Sequence, residues 1–547
     1  MRLYTDYILT LASSSLWTFT LAQDVPSAKA FLRRSGAAAT VLGDYVYFDG
    51  GELSQWVDDK ETDHTIAQTV NSTLSIDLSK SWSPDSVEIR TISKSGPRLM
   101  GQGVWPDADG GSFYVWGGHS KNGQDGKELT TTSVWRFLAD GEGAGSWTKE
   151  MPANPEVYDS FQLSEGGAYA TAHNTGFWIG GVATGWTQFR RGNTQPISGM
   201  ASFNMADKTW RNDTAFDVSN FGTLSTGTAE YVADFGPNGL IFVLGGATYT
   251  ILAGDRPPDG YRDFRNLTFF DPVSREWYWQ SSTGDIPSPR LEFCTVGVSS
   301  PDGTYEIFLL GGYNTLSGTT FEDLYVLSLP GFVWTKVDAV EGGPRQGQTC
   351  VVAGKRHMLV IGGMNSDGWG NKDAFPQGLG IFDLSELKWS TEYDADAADY
   401  VASDVVKDWY RNTGIQSVQW SSEATQELFS RQVNESQDET GSKSKFTNTG
   451  AIVGGVVGGL AVLGLIAAAI FLVRRRKQRR RTPSNEGSHS SGDVSLQNGM
   501  KKPIEIDSIV LPAELPSQES GAISKASPVE LAASPVNRNI TECWTAR

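Results

Sequence analysis

Cysteine and histidine are scarce in this chain, which has three cysteines and five histidines in 547 residues. So few cysteines exclude a small scaffold that is held together by many disulfides. Cys294 and Cys350 can form a bond with each other, or both can be free and buried. The histidines before residue 450 are His64, His119, His173 and His357. No two of them have the close spacing of a ligand pair, so we expect no metal and no other cofactor.

Basic residues are also fewer than acidic ones. The chain has 45 Lys and Arg and 63 Asp and Glu, which gives a net charge of −18. Residues 474–547 contain 12 Lys and Arg and 8 Asp and Glu, so this tail is +4 and residues 1–473 are −22. Nucleic acid is recognised through its phosphates by a basic surface. We therefore expect no nucleic-acid partner.

Long apolar runs occur at two places in the sequence. Residues 1–22 have a short apolar core that ends at Ala22, which is typical of a cleaved signal peptide, with an uncleaved anchor as the alternative. Residues 450–473 are uncharged, and as a helix they would measure about 36 Å, enough to cross the bilayer core. The basic block that starts at Arg474 predicts a cytoplasmic tail. The sequence thus predicts a single-pass type I protein of the plasma membrane or the secretory pathway.

The predicted transmembrane segment contains Gly454, Gly455, Gly458 and Gly459. These glycines form two overlapping pairs at a spacing of four, which allows two helices to approach closely and predicts a possible dimer. The alternative is that they only reflect the abundance of glycine in membrane helices.

Glycine and aromatic residues are abundant, with 61 Gly, 18 Trp, 17 Tyr and 25 Phe. Six diglycines each follow an apolar stretch: Gly50-Gly51, Gly117-Gly118, Gly180-Gly181, Gly245-Gly246, Gly311-Gly312 and Gly362-Gly363. One tryptophan follows each diglycine: Trp82, Trp147, Trp210, Trp277, Trp334 and Trp389. The interval between units is 51 to 67 residues, which favours propeller blades over helical repeats. We expect four strands per unit, glycines where an inner strand must turn, and a tryptophan in the wedge between sheets.

These repeats resemble the kelch family, in which a Pro-Arg strand, a Gly-Gly strand and a tryptophan follow in that order. The resemblance extends from about Phe31 to Tyr393, and residues 23–393 are predicted to form an all-β, six-bladed kelch β-propeller, with seven blades as the alternative. The Pro-Arg pairs are Pro97-Arg98, Pro289-Arg290 and Pro344-Arg345, with Arg33-Arg34 as a remnant, whereas the third and fourth units lack one. We expect these arginines near the central channel, paired with acidic groups, with binding of an anionic ligand as the alternative. The chain start near Ala28 to Leu32 is expected to supply an outer strand that closes the ring.

Residues 394–449 are predicted to form one amphipathic helix from Ala395 to Tyr410, followed by a polar stalk. Residues 474–547 are predicted to be basic and disordered. With its signal peptide, kelch units and stalk, the chain resembles fungal kelch membrane proteins described as cell-wall-anchored. Sequons at Asn71, Asn212, Asn266 and Asn434 lie outside the predicted membrane segment and are candidate N-glycosylation sites.

Candidate binding residues lie in the loops after the diglycines, which a propeller gathers at one rim: Trp56, His119, Trp186, Arg190, Tyr249, Tyr313 and Trp369. The leading hypothesis is a non-catalytic, membrane-anchored module that binds a protein or a glycan at this rim. Kelch propellers also include copper oxidases of the galactose oxidase type, so an extracytoplasmic oxidase, epimerase or cyclase with its site at the channel mouth is the alternative. The sequence contains no catalytic group that we could assign.

Overall fold

Six antiparallel sheets, each made of four consecutive strands, follow one another along the chain in the computed structural model. The structure describes residues 25–437 apart from 58–59, 66, 121–133, 188–193, 216–217, 251–259 and 340. Within each sheet the strands lie in sequence order, and blade 5 carries one additional short strand at its outer edge. This order is that of a propeller blade, and we number the blades 1 to 6 along the chain.

The first strands of the blades are Phe31–Leu42, Met100–Pro106, Ala168–Ala172, Thr228–Val232, Cys294–Ser299 and Thr349–Ala353. The second strands are Tyr45–Val57, Ser112–His119, Thr175–Ile179, Leu240–Leu244, Tyr305–Leu310 and His357–Ile361. The third strands are Ser72–Asp77, Val134–Ala139, Met200–Asn204, Asn266–Phe270, Leu324–Leu329 and Leu379–Asp383. The fourth strands are Arg90–Ser93, Gly145–Glu150, Trp210–Asp213, Trp277–Ser281, Val333–Val337 and Lys388–Ser390.

Short elements lie in the connections. Two-residue to five-residue strands are Lys60–His64, Gln68–Thr69, Val182–Ala183, Gln195–Pro196, Ala247–Thr248, Gly260–Tyr261, Thr283–Gly284, Tyr313–Asn314 and Thr319–Thr320. The α-helices are α1, Pro155–Tyr158; α2, Asp404–Asn412; and α3, Glu423–Gln437. Two 3-10 turns are Pro376–Gly378 and Ile415–Ser417.

The first strands line the axis of the ring. Each of them packs against the first strands of the two neighbouring blades, and that of blade 6 packs against that of blade 1. The ring therefore closes after six blades, which confirms the six-bladed prediction and excludes the seven-bladed alternative.

The diglycines join each blade to the next one. In every blade the backbone N–H of the second glycine donates to a backbone carbonyl near the start of the first strand of the following blade, for example from Gly51 to Leu99 at 2.8 Å. The last of these bonds runs from Gly363 to Arg34 at 2.6 Å and closes the ring. All twelve glycines have positive φ, and a Cβ on Gly180 would lie 2.4 Å from the carbonyl oxygen of Leu224. Only glycine fits this turn and this close approach of two backbones.

A second circle of backbone bonds lies nearer the axis. It is made by one residue per blade with positive φ: Gly36, Gly101, Gly166, Thr226, Glu292 and Gly347. In blades 3 to 6 the N–H of this residue donates to the carbonyl of its counterpart in the preceding blade, and Gly36 of blade 1 donates to Gly347 across the closure. Thr226 and Glu292 hold a backbone conformation that a side chain disfavours, so the ring imposes it on them.

The tryptophans fill the wedges between blades. Trp147, Trp334 and Trp389 lie in fourth strands, and the indole N–H of each donates toward the preceding blade. Trp147 donates to Thr73 at 2.9 Å, and Trp334 donates to the carbonyl of Phe264 at 3.1 Å. Each indole therefore satisfies its donor while it buries apolar area between two sheets.

The prediction for the arginines holds in part. Arg290 is buried, pairs with Asp323 and donates to the carbonyl of Gly311 at 3.1 Å. Arg345 is buried in the same way, against Asp373. The prediction was wrong for Arg98, whose side chain is exposed because Leu99, not Arg98, occupies the position that accepts the bond between blades.

The prediction that the chain start near Ala28 to Leu32 supplies an outer strand was wrong, because Phe31 begins the innermost strand of blade 1. Blades 1 and 6 meet instead through Trp82 and Tyr393, whose rings stack with centroids 5.2 Å apart. Their backbones exchange two hydrogen bonds, and the Tyr393 hydroxyl donates to the carbonyl of Leu78 at 3.0 Å.

The predicted helix from Ala395 to Tyr410 was also wrong in its extent. Helix α2 begins at Asp404, and Val401 and Val405, which have helical spacing, are exposed. Tyr400 is buried in an extended segment, where its hydroxyl donates to Glu306. Tertiary contacts with the propeller therefore override the helical spacing of these residues.

The segment after blade 6 binds to the face opposite the diglycines. Phe429 of helix α3 is fully buried among aromatic side chains of blades 4 and 5, including Phe242 and Phe332. The N–H of Gly236 donates to the carbonyl of Leu428 at 2.9 Å. Residues 394–430 thus form a strap along the propeller, and helix α3 continues to Gln437, where the sequence predicted a polar stalk.

Several predictions fall outside the described residues, namely the signal peptide 1–22, Arg190, the glycines at 454, 455, 458 and 459, the transmembrane helix 450–473 and the tail 474–547. Among the residues that the structure describes, no helix has both the length and the apolar character that a bilayer span requires.

A disulfide joins Cys294 of blade 5 to Cys350 of blade 6, with their Cα atoms 5.7 Å apart. Both cysteines lie in first strands, which are neighbours around the axis. The bond therefore crosslinks two successive blades and leaves neither cysteine free.

Candidate functional site

The rim is the face of the propeller on which the second strands end in diglycines and the first strands begin. All the candidate residues that are described lie on it, because each follows a diglycine in sequence. They do not form one cluster: blades 1 and 6 hold Trp56 and Trp369, blades 2 and 3 hold His119 and Trp186, and blades 4 and 5 hold Tyr249 and Tyr313.

Blade 1 rises above the rest of the rim. Its second strand has 13 residues and continues past the diglycine into a hairpin with Lys60–His64. A loop of blade 6 lies against this hairpin, and a side chain of the hairpin donates a hydrogen bond to the backbone of the loop. The Ser54 hydroxyl donates to the carbonyl of Trp369 at 2.6 Å. We call the residues Glu52–Val57, Lys60–His64 and Met364–Asp373 the wall.

Arg33 fixes the loop side of the wall. Its guanidinium donates to the carbonyls of Asn371 at 2.9 Å and Lys372 at 3.2 Å, and it lies 3.6 Å from the carboxylate of Asp373. Arg33 is 4 % exposed, so its charge is buried with these acceptors. A buried guanidinium that donates to two carbonyls and lies beside a carboxylate holds the loop in one conformation.

Aromatic side chains stand on this fixed backbone. Trp56 packs edge-on against His64, with ring centroids 6.0 Å apart, and the His64 ring lies next to Gly370. Trp56 and Trp369 are half-buried, and His64 is exposed. The structure thus brings Trp56, His64 and Trp369 onto one surface, although Trp369 is about 300 residues from the other two in the sequence.

A different arrangement lies between blades 2 and 3. His119 Nδ1 contacts the carboxylate of Glu165, and the His119 ring lies beside that of Trp186 with centroids 5.5 Å apart. The N–H of Ser120 approaches the carbonyl of Trp186 at 3.4 Å. We call His119, Ser120, Glu165 and Trp186 the blade 2–3 site.

The tyrosines of blades 4 and 5 are held mainly through their backbones. The N–H of Tyr249 donates to the Thr223 hydroxyl, which in turn donates to the carbonyl of Tyr249. Tyr313 exchanges backbone bonds with Leu291. Neither tyrosine comes together with another candidate residue in the described part of the chain.

Two carboxyl groups have raised pKa values, and both lie away from the candidate binding residues of the rim. Burial raises the pKa of Glu306 to about 7, against hydrogen bonds from Thr304, Ser328 and Tyr400 that lower it. Burial likewise raises the pKa of Glu230 to about 7, where the Thr295 hydroxyl donates to it at 2.7 Å. Glu306 lies under the strap, and Glu230 lies between first strands of blades 4 and 5. Neither group contacts Trp56, His119 or Trp369.

The sequons differ in their surroundings. Asn71, Asn212 and Asn266 are exposed, and the Asn71 amide oxygen accepts a hydrogen bond from Arg98 at 2.8 Å. Asn434 lies in helix α3, and its side chain is outside the described residues. Among the described residues, no three His, Cys, Asp or Glu side chains come together as metal ligands would.

Sequence reasoning missed Arg33, Ser120 and Glu165 as parts of the rim. Arg33 was treated only as a remnant of a Pro-Arg pair. Glu165 lies in the third unit, which lacks that pair, so no motif marked it. Aligning Ser164-Glu165-Gly166 with Arg345-Gln346-Gly347 places Glu165 at the start of a first strand, beside the preceding blade.

The comparisons with known proteins agree with this architecture. No model of a known protein family matches the sequence. A kelch repeat-containing protein of Arthroderma benhamiae is 24% identical to the chain over 421 residues, which are 69% of this chain and 59% of the relative. The relative and the six-bladed ring support a kelch propeller. The chain spans less than two thirds of the length of this relative.

Proposed function

We propose that this kelch propeller is a membrane-anchored, non-catalytic module that binds a protein partner through the wall. The observation that carries the proposal is the fixation of the wall by Arg33 and Ser54, which hold the backbone beneath Trp56 and Trp369. A rigid surface loses little conformational entropy when it binds. Tryptophan is also enriched among the residues that dominate protein interfaces.

The rest of the rim supports the same interpretation. Its backbone is joined from blade to blade by the diglycine bonds, so the wall stands on a scaffold that has little freedom to move. The shifted carboxyl groups lie elsewhere, and the blade 2–3 site is on another part of the rim. The wall therefore has the features of a contact surface rather than of a reaction centre.

We further propose that the propeller lies outside the cytoplasm, with its anchor at residues 450–473. The disulfide between blades 5 and 6 supports this, because such bonds persist in oxidising compartments. The exposed sequons at Asn71, Asn212 and Asn266 support it as well. A glycosidase that removes N-glycans should lower the mass of the full chain, and replacing Asn212 and Asn266 by Gln should remove part of that difference. A chain without N-glycans would count against this location.

Site-specific photocrosslinking tests the binding surface. A photoreactive amino acid replaces Trp56 or Trp369 in the full chain, and a matched control places it at Trp279, which is 51 % exposed on the outer edge of blade 4. We expect the same discrete protein adduct from positions 56 and 369 and no such adduct from position 279. Equal adducts from all three positions, or none from the wall, would contradict the proposal.

A further inference from the structure

The blade 2–3 site contains polar atoms that are buried but have no hydrogen-bond partner. His119 is 5 % exposed and Ser120 is 1 % exposed. Among the residues that the structure describes, nothing accepts from or donates to Nε2 of His119 or the hydroxyl of Ser120. Buried polar groups in proteins are nearly always hydrogen-bonded, so two unpaired ones side by side indicate a site that a ligand completes.

The neighbouring groups define what these atoms offer. Nδ1 of His119 lies against the Glu165 carboxylate, which favours the tautomer with its proton on Nδ1 and leaves Nε2 as an acceptor. The Ser120 hydroxyl can both donate and accept. The Thr184 hydroxyl lies 3.4 Å from the other oxygen of Glu165 and holds that carboxylate in place. A ligand group that fits must therefore donate to Nε2 and exchange hydrogen bonds with a hydroxyl.

The charge and the shape of the site further restrict the chemical class of ligand that can bind. The Glu165 carboxylate within the site disfavours a phosphate, sulfate or carboxylate ligand. Trp186 is half-buried, and its indole offers an apolar surface directly beside the polar atoms. Binding sites commonly combine an aromatic surface with a few polar groups that fix orientation. A neutral sugar has hydroxyl donors along its edge and an apolar C–H face that suits an indole.

We propose that His119, Ser120 and Trp186 bind a neutral carbohydrate, with Glu165 as a positioning residue that sets the His119 tautomer. The site lies on blades 2 and 3 and is separate from the wall on blades 1 and 6. It therefore gives the rim a second binding activity of a different chemical class.

Calorimetry on the purified full chain tests this. The probes are neutral hexasaccharides of glucose, mannose or N-acetylglucosamine, with a sulfated hexasaccharide as the anionic comparison. We expect at least one neutral probe to bind and the sulfated one to bind more weakly. Ser120→Ala should weaken binding about tenfold, the loss expected for one buried hydrogen bond. Trp186→Ala should weaken it at least as much, and Trp186→Phe, which keeps a ring and guards against misfolding, should bind with intermediate affinity.

Two controls make the result specific. His64→Gln changes a rim histidine on the wall and should leave saccharide binding unchanged. Crosslinking from position 56 should be the same with Ser120→Ala as without it, so loss of one activity is distinguishable from loss of the other. The proposal is overturned if no neutral probe binds, if the sulfated probe binds best, or if Ser120→Ala and Trp186→Ala both bind like the unmodified chain.

Discussion

Trp82 and Tyr393 stack on each other where the first and last blades of the propeller meet, 311 residues apart along the chain. Together with the bond from Gly363 to Arg34, this contact closes the ring without exchanging a strand between blades. Closure therefore depends on a few side chains and backbone bonds rather than on a shared sheet.

Tyr393→Ala should lower the free energy of unfolding by about 3–5 kcal/mol, because it removes a buried ring at the closure. Tyr393→Phe should cost only about 1 kcal/mol, since it removes the hydrogen bond to Leu78 and keeps the ring. Urea unfolding followed by tryptophan fluorescence measures both. Trp279→Ala, an exposed aromatic outside the closure, is the control and should change stability by less than about 0.5 kcal/mol. Equal effects of all three variants would show that the contact does not close the ring.

The disulfide predicts a thiol count. The chain has three cysteines, of which Cys294 and Cys350 are bonded, so the denatured, unreduced protein should contain one titratable thiol and the reduced protein three. The double variant Cys294→Ala, Cys350→Ala should be less stable by about 2–5 kcal/mol, because the bond constrains the unfolded chain. Three thiols before reduction would contradict the structure at this position.

The stability of the propeller should depend on pH through Glu306. Its pKa is about 7 in the folded protein and 4.5 in its ordinary state, so the folded chain keeps a proton that the unfolded chain has released. The free energy of unfolding should consequently fall as the pH rises from about 4.5 to about 7 and should lose no more above that range through this group. Glu306→Gln should remove this dependence and raise stability at pH 8 by about 3 kcal/mol.

Urea unfolding at pH 5 and pH 8 measures the difference between the variant and the unmodified chain. Glu230→Gln should behave similarly, because burial raises the pKa of Glu230 in the same direction. Glu322→Gln changes an exposed carboxylate and serves as the control. A pH profile that Glu306→Gln leaves unchanged would be evidence that Glu306 is charged in the folded protein.

Much of the fold could be predicted from local sequence, because the diglycines and tryptophans recur in every blade. What the diglycines bond to could not be predicted, since five of the acceptors lie 33 to 48 residues further along the chain and the sixth, Arg34, lies near its other end. The acceptor is a backbone carbonyl, which explains why units without a Pro-Arg pair still join the ring. In blade 3 the Ser164 hydroxyl donates to the carbonyl of Gly180, as Arg290 donates to that of Gly311 in blade 5.

The rim was less predictable than the blades. Loop position was enough to select Trp56, His119 and Trp369, but not to group them, because the groups depend on contacts between the two ends of the chain. Arg33 and residues 371–373, to which it binds, come together only when the ring closes. The strap was missed for the same reason, since Val401 and Val405 have helical spacing but the apolar partners of this segment lie on blades 4, 5 and 6.

The most direct test of the account is hydrogen exchange by mass spectrometry on the full chain, alone and with the protein captured by crosslinking from position 56. The account predicts slower exchange on binding in residues 52–57 and 364–373, and unchanged exchange in the outer strand Trp277–Ser281 and in the strap. Slower exchange confined to the outer strand or the strap, with the wall unchanged, would contradict the claim that the wall is the binding surface.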